Sequence, residues 1–208
     1  AKAAHIKAPA VIVVGQVCQL SPRFAWAEKR PLGGCRVLVT RPRDRASQLA
    51  KALRAQGAEV ALLPAIRTQE IQPNPLLRQT LEQLNQYQWL VFTSPAGVEA
   101  FFSQLRGLGW DIRRLARMKL AAIGSATAAR LEERGLVVDL VPESYNGAAL
   151  GEALAQKAKG ERLLLLRARE GSQDLPEKLK THNLLYTDLP VYDTIEESAD
   201  PLMLEGLR

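Results

Sequence analysis

VLVTRPRDRASQLAKALRAQGAEVALLP, running from Val37 to Pro64, holds a strand, a helix and a second strand. Val37–Thr40 is a short run with β-branched residues, so it reads as a strand. Arg45–Gln56 places Ala46, Leu49, Ala50 and Leu53 at helical spacing, and Gly57 supplies the residue that stops the helix. Val60–Leu63 is the next strand, closed by Pro64. Two short strands joined through a helix imply a parallel pair, because such a pair needs a crossover of about this length.

The alternation continues downstream. After Pro73 and Pro75 the pattern predicts a helix over 76–84, a strand at Trp89–Phe92 and a helix at Gly97–Leu105. A strand at Leu120–Ile123, a helix over 126–134 stopped by Gly135, and a strand at Val137–Val141 follow. Then come a helix over 148–159 stopped by Gly160, a strand at Leu163–Leu166, a helix over 175–180 and an extended stretch from Leu184 to Tyr192. Strands alternating with helices point to an α/β fold, a doubly wound parallel sheet covered on both faces. Residues 1–34 stand apart. Ala10–Val14 reads as a strand, but Gly15, Ser21-Pro22, Arg30-Pro31 and Gly33-Gly34 behind it are linker chemistry. A lone strand cannot satisfy its own backbone, so this one belongs to a sheet completed elsewhere or adds to an edge.

Composition narrows the function. The chain has 208 residues, 47% of them hydrophobic, which is enough for a sizeable core and too polar for membrane spans of about 18 apolar residues. No secretory leader pattern opens it, and Cys18 and Cys35 lack disulfide-framework or zinc spacing, so a reducing cytoplasm is expected. The net charge of +6 favours an acidic partner. Aromatics are only 5% of residues and do not alternate with the basic ones, so an anionic small molecule is favoured over nucleic acid. No GxGxxG follows the first strand, and neither GxxxxGK[ST] nor GxSxG occurs. His5 and His182 lack carboxylate or cysteine company in sequence and read as surface histidines.

In an open parallel sheet the ligand lies beyond the carboxyl ends of the strands. The junctions there, Thr40–Asp44, Thr93–Gly97, Gly124–Thr127, Glu143–Gly147 and Arg167–Ser172, combine hydroxyls, glycine or arginine at a helix start. Such starts offer unpaired N–H groups and a partial positive charge to an anion. The same residues also serve as ordinary N-caps, each worth about 1 kcal/mol to its helix. Several junctions together favour an anion-binding face.

Six ordered motifs then carry a resemblance: VLVTRP (37–42), LPAI (63–66), VFTSPAGV (91–98), AAIGSATA (121–128), LVP (140–142) and VYDT (191–194). Together they resemble the uroporphyrinogen-III synthases. APAVIVVGQV (8–17), with Leu20 and Trp26, resembles the closing strand and tail of uroporphyrinogen-III C-methyltransferase, an enzyme often fused upstream of the synthase. The resemblance implies two flavodoxin-like lobes joined by a two-stranded ladder, with Ile66–Ile71 and Leu189–Ile195 as connectors. Residues 1–34 would be the methyltransferase tail and linker, 36–66 with 195–208 a partial first lobe, and 67–194 the second lobe. Ala199–Arg208 would be a lead-in helix, the rest of the first lobe would follow it, and a chain cut in this way would be inactive alone.

The activity implied is cyclisation of hydroxymethylbilane to uroporphyrinogen III, with loss of water and inversion of ring D, using no cofactor and no metal. The substrate's eight carboxylates would suit a basic cleft with several helix N-termini. Tyr192 matches the tyrosine that would help the hydroxyl leave. Thr40, Arg41, Ser94, Gly124, Thr127, Tyr145 and Arg167 are the expected substrate contacts. Ala96 and Ser172 depart from the family pattern, where a polar or basic residue and an arginine are common, which weakens the expectation for those two loops. A bifunctional methyltransferase–synthase chain and a two-lobed small-molecule-binding module are the other readings.

Overall fold

Runs of β-branched residues and leucine become strands only where a neighbouring run takes up their backbone groups. The computed structural model describes residues 11, 13–24 and 29–198. The chain divides into two units, Arg67–Glu196 and a unit made of Ala1–Ile66 with Glu197–Arg208. Ala10, His5, Trp26 and the expected lead-in helix over 199–208 lie outside the described residues.

The first unit opens with a 3-10 turn at Gln16–Leu20 and the short helix α1 (Ser21–Phe24). Its main feature is β1 (Arg36–Val39), α2 (Arg43–Ala55) and β2 (Glu59–Leu62). The two strands pair in parallel, Arg36 opposite Glu59 and Val39 opposite Leu62, as the crossover spacing requires. Val39, Ala46 and Ala50 are buried, whereas Leu38 remains 47% exposed. Of the strand expected at 10–14, Ala10 and Ile12 lie outside the described residues, and Val11, Val13 and Val14 are not in a strand, Val11 being 90% exposed. Among the described residues no neighbouring strand meets them, and apolar character alone does not make a strand.

The second unit runs β3 (Ile66–Glu70), α3 (Pro75–Glu82), β4 (Trp89–Phe92), α4 (Pro95–Gly107), β5 (Lys119–Ala122) and α5 (Ser125–Glu132). It continues with α6 (Gly147–Lys157), β6 (Arg162–Ala168), α7 (Asp174–Thr181) and β7 (Leu185–Glu196). The strand order is β3-β7-β6-β4-β5, and β4 is parallel to both β5 and β6, as β6 is to β7. The chain thus winds outward from β4 in both directions and leaves a crevice at the reversal between β4 and β6. One face buries Leu90, Phe92, Leu164 and Leu166 with Leu77, Phe101, Leu105 and Leu131 of α3, α4 and α5. The other buries Trp89, Val91, Leu163 and Leu165 with Leu150, Leu154, Leu175 and Leu179 of α6 and α7. Burial on both faces explains why these strands are continuous apolar runs rather than alternating ones.

One further expectation changes. Val137–Val141 is not a strand; only Leu140 bridges to Ala121, and Val137 is 83% exposed. Asp139 is the reason: its carboxylate accepts the Leu120 N–H at 2.7 Å, a side chain standing where a longer ladder would put a carbonyl. Ile66–Ile71, expected as one connector of a two-stranded ladder with Leu189–Ile195, is mostly β3 and borders β7 within the five-stranded sheet, with Ile71 N donating to Val191 O at 3.1 Å.

At the amino ends of β4 and β6, Glu161 accepts the buried Trp89 indole N–H and lies 2.7 Å from Lys119 Nζ. The Lys119 hydrogen bond, aided by that of Trp89 and opposed by desolvation, holds the Glu161 carboxyl below the ordinary glutamate value of 4.5. A depressed carboxyl contributes stability above its unfolded value and loses it as the pH falls through the folded one. Glu161→Gln is therefore expected to lower the urea midpoint at pH 7. The gap to the unaltered chain should close as the pH drops below about 4.5; a gap independent of pH would show that the charge of Glu161 contributes nothing.

Candidate functional site

The crevice at the strand ends is a cleft of about 410 Å³ within the second unit. Thr93 and Ile123 line it just after β4 and β5, Asn146 and Gly147 at the start of α6, Arg167 and Ala168 at the end of β6, and Tyr192 on β7. Three of the four helix starts here are met by side chains. Ser94 Oγ accepts the Gly97 N–H at 3.0 Å, Asn146 Oδ1 the Ala149 N–H at 2.8 Å, and Ser172 Oγ the Asp174 N–H at 3.1 Å. Ser94 and Asn146 are thus true N-caps, whereas Ser172 lies one residue before the N-cap of α7, Gln173, which makes no side-chain cap bond. Gly124 at the start of α5 supplies no side-chain cap.

Tyr192 is 8% exposed and reaches the cleft through an irregularity. Arg167 is opposite Pro190, but Ala168 is opposite Tyr192, so β7 holds one residue more than β6 at this point. Such bulges re-aim side chains and occur beside active sites. Val191 and Tyr192 accordingly pack into the same core, on the α4 side of the sheet. The phenolic oxygen lies 2.9 Å from Ser94 Oγ. A Cβ on Gly97 would come within 3.1 Å of Leu166 O, 3.3 Å of Ser94 Oγ and 3.7 Å of the Tyr192 ring. Glycine there lets strand, cap and ring meet closely.

Arg167 is buried, its Nε held by Asp188 at 2.9 and 3.2 Å and its Nη1 by the Ser172 carbonyl. This pair ties β6, β7 and the Arg167–Ser172 loop together. The expected basic cleft needs correction for this unit: the charged side chains that line it are Arg167, Glu170 and Asp174, one cation against two carboxylates. Nearby Arg169 is paired with Asp193 at 2.9 Å, and this carboxylate raises its pKa, firstly through the hydrogen bond. Attraction for an anion must come here largely from backbone N–H groups.

The remaining expected residues are dispersed. Thr127 is buried in the first turn of α5. Tyr145 is 62% exposed and packs on Gly124, where a Cβ would sit 2.8 Å from its Cγ. Thr40 and Arg41 are exposed beyond β1 in the first unit. His182 pairs with Glu152 at 2.9 Å on the surface. Among the described residues no cluster of three His, Cys, Asp or Glu side chains could hold a metal, and no helix is long and apolar enough to cross a membrane. Sequence reasoning missed Asp188 and Gln104. Gln104, buried on α4, donates from Nε2 to Val191 O at 3.0 Å. A glutamine on the apolar side of the helix Gly97–Leu105 was the one available signal. A larger pocket, about 660 Å³, lies against α3 and α4 at the Gln72–Pro75 turn and contains none of the expected residues.

Residues 47–207 match the family described as Uroporphyrinogen-III synthase HemD. The chain is 38% identical over 191 residues to the "Porphyrin biosynthesis protein HemD" of Ruminiclostridium josui, covering 91% of this chain and 38% of that protein. It is 31% identical over 148 residues to the "Uroporphyrinogen-III C-methyltransferase" of Bacillus subtilis (strain 168), covering 71% of this chain and 30% of that protein. A solved structure of a mutant uroporphyrinogen III synthase from the extremely thermophilic bacterium Thermus thermophilus is similar with a TM-score of 0.59 at 22% identity, over 79% of this chain and 64% of that one, a likeness of fold. The chain therefore spans well under two thirds of the length of the first two relatives.

Proposed function

Because the chain belongs to the uroporphyrinogen-III synthase HemD family, we propose that it carries part of the site that closes hydroxymethylbilane to uroporphyrinogen III. The observation that carries this reading is Tyr192, a phenol fixed by Ser94 at a cleft on the reversal point of the sheet. In the proposed reaction the hydroxymethyl oxygen takes up a proton from the medium and leaves as water, giving an azafulvenium cation, and the proton is returned when the ring closes. The substituted carbon of ring D attacks it, and the resulting spirocycle fragments and recloses with ring D inverted. Tyr192 donates a hydrogen bond to the departing oxygen. The rest of the task is to hold the two ends of the tetrapyrrole in attack geometry against spontaneous closure to the uninverted isomer.

The eight carboxylates of the substrate meet the starts of α4–α7, each favourable contact contributing roughly 0.3–1 kcal/mol. Gly124, with no side-chain cap, leaves the first N–H groups of α5 free of a competing side-chain acceptor. Arg167, Thr127 and Tyr145 complete the contribution of the second unit, and Thr40 and Arg41, at the end of β1, are read as substrate contacts of the first unit taken by itself. The lobes are flavodoxin-like: the order β5-β4-β6-β7 and the neighbouring β3 and β7, as ladder, support this. The exposed Leu38 beside a two-stranded sheet supports a first lobe completed by further strands. The reaction is read as cytoplasmic and cofactor-free. Residues 1–34 are read as the tail of a fused methyltransferase, which the match to the Bacillus subtilis protein favours.

The test is to incubate the full-length gene product with freshly prepared hydroxymethylbilane and separate the isomers formed. Uroporphyrinogen III in excess over the rate of spontaneous closure is expected; only the type I isomer would refute the reading.

A further inference from the structure

Ser94 has more partners than a helix cap needs. Its hydroxyl owns one proton and two lone pairs. One lone pair accepts the Gly97 N–H at 3.0 Å, and the Tyr192 oxygen lies 2.9 Å away. Two arrangements of protons fit these distances. Either Ser94 donates to Tyr192 and the phenolic proton is left over, or Tyr192 donates to Ser94 and the serine proton is left over.

The helix decides between them. Ser94 caps α4, a helix of 13 residues whose start carries a partial positive charge. A positive pole draws oxygen lone pairs towards it and turns O–H protons away. In the first arrangement the Gly97 N–H, the Ser94 O–H and the Tyr192 O–H all point away from the helix start, head to tail, and each bond polarises the next. In the second, the Tyr192 proton points back at the helix pole and the serine oxygen must accept twice. The packing fixes the geometry: Gly97 admits the ring within van der Waals reach, and Gln104, ten residues along from Ser94, holds the neighbouring Val191 carbonyl at 3.0 Å. Helix α4 thus grips β7 at both residues of the bulge.

We infer that Ser94 is a positioning residue that donates its proton to the Tyr192 oxygen, so that Tyr192 presents its own proton to a ligand in the cleft. The catalytic consequence rests on the proposed role of Tyr192; the orientation does not. Ser94 is then no contact for a substrate carboxylate, since both of its bonding directions towards the protein are used.

Ser94→Asp separates the two roles. Aspartate is as good a cap as serine and still accepts the Gly97 N–H, but a carboxylate can only accept from Tyr192 and draws the phenolic proton to itself. The first measurement is the tyrosine Raman doublet of the full-length protein, isolated by subtracting the spectrum of the Tyr192→Phe variant. The phenol is expected to read as a hydrogen-bond acceptor in the unaltered protein and as a donor in Ser94→Asp. A donor signature in the unaltered protein would overturn the inference. The second is steady-state kinetics. Ser94→Asp should lose about as much kcat as Tyr192→Phe, on the order of a hundredfold, with an unchanged melting temperature, and Ser94→Thr should regain most of it. Turnover by Ser94→Asp at the unaltered rate, with Tyr192→Phe slow, would overturn the inference. If the Raman polarity is as expected while Tyr192→Phe turns over normally, the orientation stands and the proposed role of Tyr192 falls.

Discussion

Replacing Tyr192 with phenylalanine is expected to slow turnover about a hundredfold while KM stays within about twofold. The separation follows from where the ring lies. Its carbon skeleton packs with Val191, Leu189 and the residues of α4, and phenylalanine keeps all of that volume. What disappears is one hydroxyl, bonded to Ser94, on a residue that lines the cleft. Ser94 keeps its bond to Gly97, so the helix start is undisturbed and the cost in stability stays near about 1 kcal/mol. A group that acts only as the leaving oxygen departs should lower kcat and kcat/KM together. Unchanged kcat would remove Tyr192 from the reaction.

The largest expected effect on stability belongs to Asp188. Arg167 has only 6% of its side chain exposed, and Asp188 takes its Nε. Truncating Asp188 to alanine leaves a buried guanidinium anchored by the Ser172 carbonyl without its carboxylate, at a cost of about 3 kcal/mol. The value would be read from urea unfolding at pH 7. Replacing both partners, Arg167→Met with Asp188→Leu, should recover most of the loss, because the penalty lies in the unpaired charge rather than in the missing pair. A loss under about 1 kcal/mol for the single variant would place the pair among solvent-screened surface bridges. An arginine committed to both Asp188 and the Ser172 carbonyl orders its loop.

Much of the second unit could be read from local pattern. Trp89–Phe92 is a strand as expected, because a four-residue apolar run buried on both faces has no other stable use. Gly57, Gly135 and Gly160 stop their helices with positive φ, as their positions suggested. Failures came where the outcome depends on a distant neighbour. Ala10–Val14 looked like a strand because periodicity cannot report whether a partner is present. Val137–Val141 looked like one because the Asp139 side chain competes for the ladder only in three dimensions. Ile66–Glu70 is a different case: with Arg67, Thr68 and Gln69 in its middle it has too little apolar character to be found by periodicity, it was expected only as a ladder connector implied by the resemblance, and it is a strand through its place beside β7.

For the site, the strand ends were legible as a place and Tyr192 and Arg167 as residues near it. Their partners were not. Ser94 and Tyr192 are 98 positions apart, and nothing in the spacing of hydroxyls shows that one serves the other. The basic cleft was expected for an eight-carboxylate substrate and agreed with the whole chain's charge, but charge sums over a surface and does not say which cations face inward. Here the nearby arginines are paired with Asp188 and Asp193.

The extra residue in β7 has a consequence best put as parity. Along a regular strand, odd and even positions belong to opposite faces, so a count from any buried residue tells which side each later one serves. After Leu189 the count would send Val191 to the α4 side and Tyr192 to the α6–α7 side, yet both lie on the α4 side. The bulge resets the count by one just before the phenol. An alternating code would assign this tyrosine to the wrong wall of the sheet, and a register slip that ironed out the bulge would turn it away from Ser94 without changing a single amino acid. The identity of the residue is written in the sequence; its side is written in the miscount.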